Sequence, residues 1–344
     1  MRVRILLTGH QGYLGTVMAP VLQAAGHQVV GLDSGFFADC VLGDTWQDPP
    51  GMRVDVRDVT RAQLSGFDAV IHLAALSNDP VGALDPETTY AINHRASVRL
   101  ARLAKEAGVR RFLYASTCSV YGASGDDLVS ETAPLRPMTP YAESKVRVED
   151  DLVALAERSF SPVFLRNATA FGYSPRLRAD IVLNNLVGHA VLTGKVRVLS
   201  DGTPWRPLVH AQDIASGFRL ALEAPADRIH CRAFNVGDES NNVTVAQIAG
   251  AVVAAVPDSE LQLTGESGPD PRSYRVDFSA FRRAVGFQAT WSVADGIQEL
   301  YDKYVSCGLT VDDFANKFTR LPRLMALQAQ GVLDRSLNWI TSDV

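Results

Sequence analysis

The chain has 344 residues, 47% of them hydrophobic and 21% charged, with a formal net charge of −5. Those proportions belong to ordinary globular proteins; the acidic balance disfavours a nucleic-acid partner, and no apolar run approaches the ~20 residues of a membrane helix. Cys40, Cys118, Cys231 and Cys307 are widely spaced with no C-x-x-C, and the N-terminus enters a strand without a signal-peptide pattern, so reduced thiols and a cytoplasmic location are expected.

Arg2 to Leu7 predicts a short apolar strand. Thr8-Gly9-His10-Gln11-Gly12-Tyr13-Leu14-Gly15 follows, then a helical run from Thr16 to Ala25. A strand that turns on glycines into a helix is a cradle for a pyrophosphate. Gly9 suits the sharp turn, Gly12 the close approach of backbone to phosphate, and Gly15 the packing of helix on strand. The spacing is G-x-x-G-x-x-G, and a glycine triplet alone is also an ordinary tight turn. Gln28 to Leu32 predicts a second strand. It closes on Asp33, 18 residues past Gly15, where an acid accepts hydrogen bonds from an adenosine ribose. The long loop from Ser34 to Gly51 is placed to fold over the cofactor. Its first residues, Ser34-Gly35-Phe36-Phe37, carry no cation for a 2′-phosphate, so NAD is favoured over NADP.

Met52-Arg53-Val54 predicts a third strand leading to Asp55-Val56, and Ala69 to Ala75 a fourth whose small, apolar end lets backbone approach a cofactor. A helix over about Thr88 to Ala107 contains Asn93, either solvated or hydrogen-bonded on the cofactor side. Arg111 to Ala115 predicts a fifth strand that runs out into Ser116-Thr117-Cys118-Ser119-Val120-Tyr121-Gly122. Ligands of parallel sheets bind beyond the carboxyl ends of the strands, so these hydroxyls are candidates for chemistry. Tyr141-Ala142-Glu143-Ser144-Lys145 opens a helix after Pro140, and the i, i+4 spacing puts Tyr141 and Lys145 on one face. Alternating strands and helices predict a doubly wound parallel sheet, a Rossmann-type α/β fold.

In the second half, Ser161 to Arg166 predicts a sixth strand, followed by Asn167 to Gly172. Ser174-Pro175-Arg176-Leu177-Arg178 is a basic loop, either solvated or at a substrate rim. Val196 to Leu199 and Ala233 to Gly237 are further strands, and Thr244 is placed to cap a helix. His210 and Asp213 precede a helix and are expected to pair structurally. No metal site is expected. Phe314 to Leu333 alternates apolar and basic residues at helical spacing, as a core or oligomer contact would.

The glycine triplet, Asp33, Asp55-Val56, His72-Leu73-Ala74-Ala75, Asn93, Ser116 to Gly122 and Tyr141-x-x-x-Lys145 occur in an order that resembles the extended short-chain dehydrogenases, in their nucleotide-sugar epimerase/dehydratase branch. The resemblance covers residues 1 to about 300. It implies that Gly9, Gln11, Gly12, Tyr13, Leu14 and Gly15 surround the pyrophosphate of NAD, that Asp33 holds the ribose, and that Asp55 and Val56 flank the adenine. Leu73, Ala74 and Ala75 then pass the nicotinamide ribose, with Asn93 nearby. Tyr141 is implied as the acid/base, Lys145 as the ribose-holding lysine, and Thr117 as the partner of the reacting sugar oxygen. A lysine ammonium and a positive nicotinamide ring beside Tyr141 are expected to lower the pKa of its phenol.

On the substrate side the resemblance adds Ser77, Cys118, Asn185, Arg206 and Arg272, with Arg275 close behind. Thr169 stands where many epimerases carry Asn. It implies a Rossmann domain over 1–166, with 206–238 returning to it. A smaller α/β lobe for the nucleotide sugar is implied over 167–205 and 239–308, and a helical extension over 309–344. A homodimer is implied as well, through the helices that carry Asn93 and Tyr141. The 4,6-dehydratases of the branch place Asp and Glu directly after the catalytic Thr. Cys118 and Ser119 stand there instead, which disfavours that reaction; Cys118 is either a filler or an acid/base of its own. The reading is therefore an NAD-dependent nucleotide-sugar epimerase working at a sugar carbinol, carbon 4. A ketoreductase of a nucleotide-linked deoxysugar is the alternative, and a non-catalytic NAD sensor the alternative of another class.

Overall fold

The computed structural model describes residues 2–77, 79–263 and 272–340. In chain order its strands are β1 (Arg4–Thr8), β2 (Gln28–Asp33), β3 (Gly51–Arg53), β4 (Ala69–His72), β5 (Arg111–Thr117), β6 (Ala123–Val129), β7 (Ser161–Asn167), β8 (Thr169–Phe171), β9 (Lys195–Val198), β10 (Trp205–His210), β11 (Arg232–Val236), β12 (Asn242–Thr244), β13 (Glu260–Leu263) and β14 (Ser273–Val276). Seven of them form one parallel sheet in the order β11-β7-β5-β4-β1-β2-β3. The chain runs outward from β1 in one direction and then restarts at β4 in the other. That reversal opens a crevice beyond the carboxyl ends of β1 and β4, where Thr8 lies opposite His72, and such a switch point is where open α/β sheets bind ligands.

Both faces of the sheet are covered, so its strands are nearly continuous apolar runs. Alternation sends Ile5, Leu7 and Ile71 to one face, against the helices Tyr13–Ala24 and Ala211–Glu223. Leu6, Val70 and Phe112 go to the other, against the helix Ala96–Glu106. A third core, with Leu183, Val187, Val196, Ile248 and Ile297, joins the helices Val182–Thr193, Val245–Ala255 and Val293–Ser306 to β9 and β13. Beside it lie a three-stranded sheet, β12-β10-β8, and the pair β14-β6.

Two elements differ from the sequence reading. The helix expected from Thr88 to Ala107 is broken into a short turn at Pro86–Thr89, a wide π-helical segment at Tyr90–Arg95 and the α-helix Ala96–Glu106. Asn93, in the wide segment, is buried and holds the chain after β4: its Oδ1 accepts from Leu76 N at 2.7 Å and its Nδ2 donates to Leu76 O at 3.0 Å. The tail is not one continuous helix: a wide π-helical segment at Asp313–Lys317 precedes the α-helix Arg320–Ala329. Leu324, Leu327, Leu333 and Leu337 of the tail are buried in the same core as Leu6 and Phe112. His210 and Asp213 do not bond each other. The His210 Nε2 is 2.9 Å from Glu299, its ring stacks on Trp291 at 4.0 Å, and Asp213 accepts from the backbone of Thr290 and Trp291.

Candidate functional site

The crevice is a cleft of about 660 Å³ whose floor is the glycine turn and whose far end is the start of the helix Pro140–Val153. Gly9 has φ +75°, and a Cβ there would stand 2.8 Å from Ala74 N. At Gly15 a Cβ would stand 2.2 Å from Gly9 O, so this glycine is needed because the helix begins against the turn itself rather than against the strand. The helix Tyr13–Ala24 has Gly12 as its N-cap with no side-chain cap. Its first N–H groups and its dipole are therefore available to an anion.

Asp33 ends β2 on the cleft wall. Its carboxylate accepts from Gln11 N at 3.0 Å and Gly35 N at 2.9 Å. Burial raises its pKa above the ordinary range, while the Gly35 N–H, His10, the Gln11 N–H and Arg176 draw it back. Asp55 and Val56 line the wall beyond it, and Asp55 is held by Arg57 at 2.8 Å. Leu73, Ala74 and Ala75 form the edge after β4.

At the other end, β5 carries Thr117 to the cleft, and the helix Pro140–Val153 presents Tyr141 and Lys145 opposite it. Thr139 caps that helix and Pro140 occupies its first turn, which fixes where Tyr141 stands. Thr117 stands near enough to Tyr141 for its hydroxyl to favour the phenolate. The Lys145 ammonium lies 5.6 Å from the centre of the Tyr141 ring and donates to Ala115 O at 2.7 Å. Burial pushes Lys145 down to about 7. Tyr141 is pushed up to about 12, by burial first and by Asp79 second, against Arg178, Thr117 and Arg272. The expected lowering of the phenol is thus reversed in the protein alone, because loss of water outweighs the nearby cations.

The model of the NAD-dependent epimerase/dehydratase family matches residues 5–237. The UDP-glucose 4-epimerase of Mycolicibacterium smegmatis is 30% identical over 329 residues, covering 92% of this chain and 99% of that one. The chain belongs to the NAD-dependent epimerase/dehydratase family. Among solved structures, MoeE5 in complex with UDP-glucuronic acid and NAD superposes with a TM-score of 0.77 at 25% identity, covering 88% of this chain and 99% of that one. TunA, an NAD-dependent NDP-hexosamine 5,6-dehydratase, superposes with a TM-score of 0.79 at 23% identity, covering 89% and 98%.

The family's NAD fits the residues present. The cradle at Gly9 and Gly15 has no room for a Cβ, the helix behind it is uncapped, and Asp33 closes the second strand. Of the residues singled out in the sequence, Gly9, Gly12, Tyr13, Leu14, Gly15, Asp33, Asp55, Val56, Leu73, Ala74 and Ala75 line the cleft, as do Ser77, Thr117, Tyr141, Lys145, Thr169, Asn185, Arg206 and Arg272. The Tyr13 hydroxyl, however, is spent on Gly172 O at 2.7 Å, and the Asn185 amide donates to Ala179 O at 2.9 Å.

Four are not brought to the wall, among them Arg275, which lies 4.8 Å from the centre of the Trp205 ring. The Gln11 side chain turns outward to Asp48 at 2.9 Å, Asn93 pins Leu76, and Cys118 is wholly buried with its Sγ 3.1 Å from Arg166 O. Burial drives the Cys118 thiol far above its ordinary pKa, which disfavours the thiolate.

The cleft also contains Arg178, of the loop read as either solvated or at a substrate rim, and groups that sequence reasoning did not single out. Arg178, from the basic loop, pairs with Asp180 at 3.0 Å and donates to Ser77 Oγ at 3.0 Å. Asp79 pairs with Arg272 at 2.9 Å and accepts from Thr139. Arg320 reaches the wall from the C-terminal helix. An acid placed shortly after the fourth strand was a signal for Asp79; nothing local marked Arg320. No helix among the described residues is long and apolar enough to cross a membrane.

Proposed function

We propose that this protein is a nucleotide-sugar 4-epimerase that works through Thr117, Tyr141 and Lys145. The observation that carries the reading is the gathering of Thr117, Tyr141 and, one helical turn on, Lys145 on the wall of the same cleft as the glycine turn. Bound NAD⁺ supplies the hydride acceptor and a positively charged ring. Thr117 orients the sugar hydroxyl at carbon 4, and Tyr141 takes its proton. Lys145 holds the ribose and adds positive charge beside the phenol. Arg206 and Arg272 hold the diphosphate while the sugar turns over, since guanidinium groups meet phosphate in a bidentate fashion. Tyr141 then returns its proton to the same oxygen on the inverted carbon. The positions where 4,6-dehydratases carry two acids are taken by the buried Cys118 thiol and by Ser119, which disfavours loss of water. A homodimeric, cytoplasmic enzyme is part of the same reading.

The test is to incubate the purified protein with nucleotide hexoses, with and without added NAD(H), and to follow products by NMR. Interconversion of 4-epimers without added cofactor is expected. A product that forms only in proportion to added NADH favours the ketoreductase instead. Tyr141→Phe is expected to lower turnover at least about 1,000-fold while NAD still binds. Turnover that survives the change removes Tyr141 from the chemistry.

A further inference from the structure

The C-terminal helix Arg320–Ala329 lies beyond the residues that the family model matches, yet its first residue forms part of the cofactor cleft. Arg320 is 5% exposed. Its Nη1 has no hydrogen-bond partner, and its Nη2 reaches only Arg176 O, at 3.5 Å. The guanidinium lies 4.1 Å from the centre of the Phe37 ring. The charged groups that act on it are Arg178 against it and Asp180, Cys40 and Asp33 for it. Asp180 is already paired with Arg178, and Asp33 with two backbone N–H groups. A buried cation without a dedicated counterion is destabilising. Burial accordingly pulls Arg320 down to about 10.

The segment that delivers this arginine is fastened to the loops after β2 and β3. The Trp339 Nε1 donates to Ser34 O at 2.7 Å, and its ring lies 5.8 Å from Phe36. Arg57 donates to Ser336 O at 2.7 Å and Leu337 O at 2.9 Å. Arg323 pairs with Asp39 at 2.7 Å on the outer side. Arg320 therefore shares the cleft with Leu14, in the first turn of the uncapped helix, and with Asp33.

We propose that the C-terminal segment is a fixed cover over the dinucleotide cleft and that Arg320 supplies the counter-cation for the pyrophosphate of NAD. The helix N-terminus would offer that group N–H donors, and Arg320 would add a full charge. The orphaned Nη1 then gains an acceptor when the dinucleotide enters. This inference rests on the family's use of NAD and not on which sugar is turned over, so its failure leaves the epimerase reading in place.

The test measures binding to the full chain, stripped of nucleotide, by calorimetry with NAD⁺, NADP⁺, ADP and adenosine. Arg320→Met is expected to weaken NAD⁺ and ADP about 10- to 100-fold and to leave adenosine unchanged. Arg320→Lys should fall between the two. Arg335→Met, at an exposed position of the same segment, should leave all four unchanged. A thermal melt of the stripped Arg320→Met protein that is no lower than that of wild type shows that it folds. Unchanged NAD⁺ affinity overturns the proposal, as does an equal loss for adenosine and ADP, which would make the arginine only a structural prop. A loss confined to NADP⁺ also overturns it, by assigning the charge to a 2′-phosphate.

Discussion

At the scale of single residues, the proposed chemistry turns on two groups of the cleft moved in opposite directions. Tyr141 is held up near 12 and Lys145 down near 7, both chiefly because the pocket excludes water. Lys145 is 3% exposed and has Glu149 as its favourable charge. Replacing it with Met removes a buried amine whose charged form is penalised. The folded protein should gain about 1–4 kcal/mol near neutral pH, read by urea unfolding, while activity falls. The pH dependence has a definite sign. Between about 7 and the ordinary lysine value of 10.5, the unfolded chain binds this proton and the folded one does not. Wild-type stability therefore gains from this group as pH rises through that window, and Lys145→Met should lose that part of the slope. An unchanged slope contradicts the assignment. Tyr141 and Lys145 were legible because one helical turn relates them. Arg320, Arg178 and Asp79 were harder to see, because their partners lie far away in sequence or outside any motif. Cys118 looked ambiguous for the same reason: its burial depends on Arg166, 48 residues on.

At the scale of elements, the site depends on how firmly β5 and the helix Pro140–Val153 are joined. Behind the chemistry, Ser116 donates to Glu149 at 2.5 Å, and Glu149 pairs with Arg166 of β7 at 2.6 Å. Both charged side chains are 6% exposed. Breaking a buried pair by removing one partner leaves the other charge uncompensated. Glu149→Ala should thus lose about 3–5 kcal/mol of unfolding free energy, measured by chemical denaturation. A loss below 1 kcal/mol would mean that water or another group satisfies Arg166. Strands were the easiest elements to read, since both sheet faces are covered and each strand is a run of apolar residues. The break at Tyr90–Arg95 was not legible. It accompanies a tertiary bond, Asn93 to the backbone of Leu76, which helical periodicity does not register. The tail showed its apolar spacing but not its target, because what it covers is made of loops at the opposite end of the chain.

At the scale of the molecule, a parallel sheet with its switch point at β1 and β4 sets the glycine turn and the Thr117–Tyr141 pair at two ends of one cleft. The fold by itself hosts several reactions, so the reaction must be decided by what becomes of the hydrogen on the sugar ring. The most direct measurement is NMR of the product formed by wild-type protein from a nucleotide hexose in deuterated water with no cofactor added. The account predicts the 4-epimer with its ring hydrogens retained, because the hydride leaves and returns within the cleft. Solvent deuterium in the ring, or a product that has lost water, would contradict it.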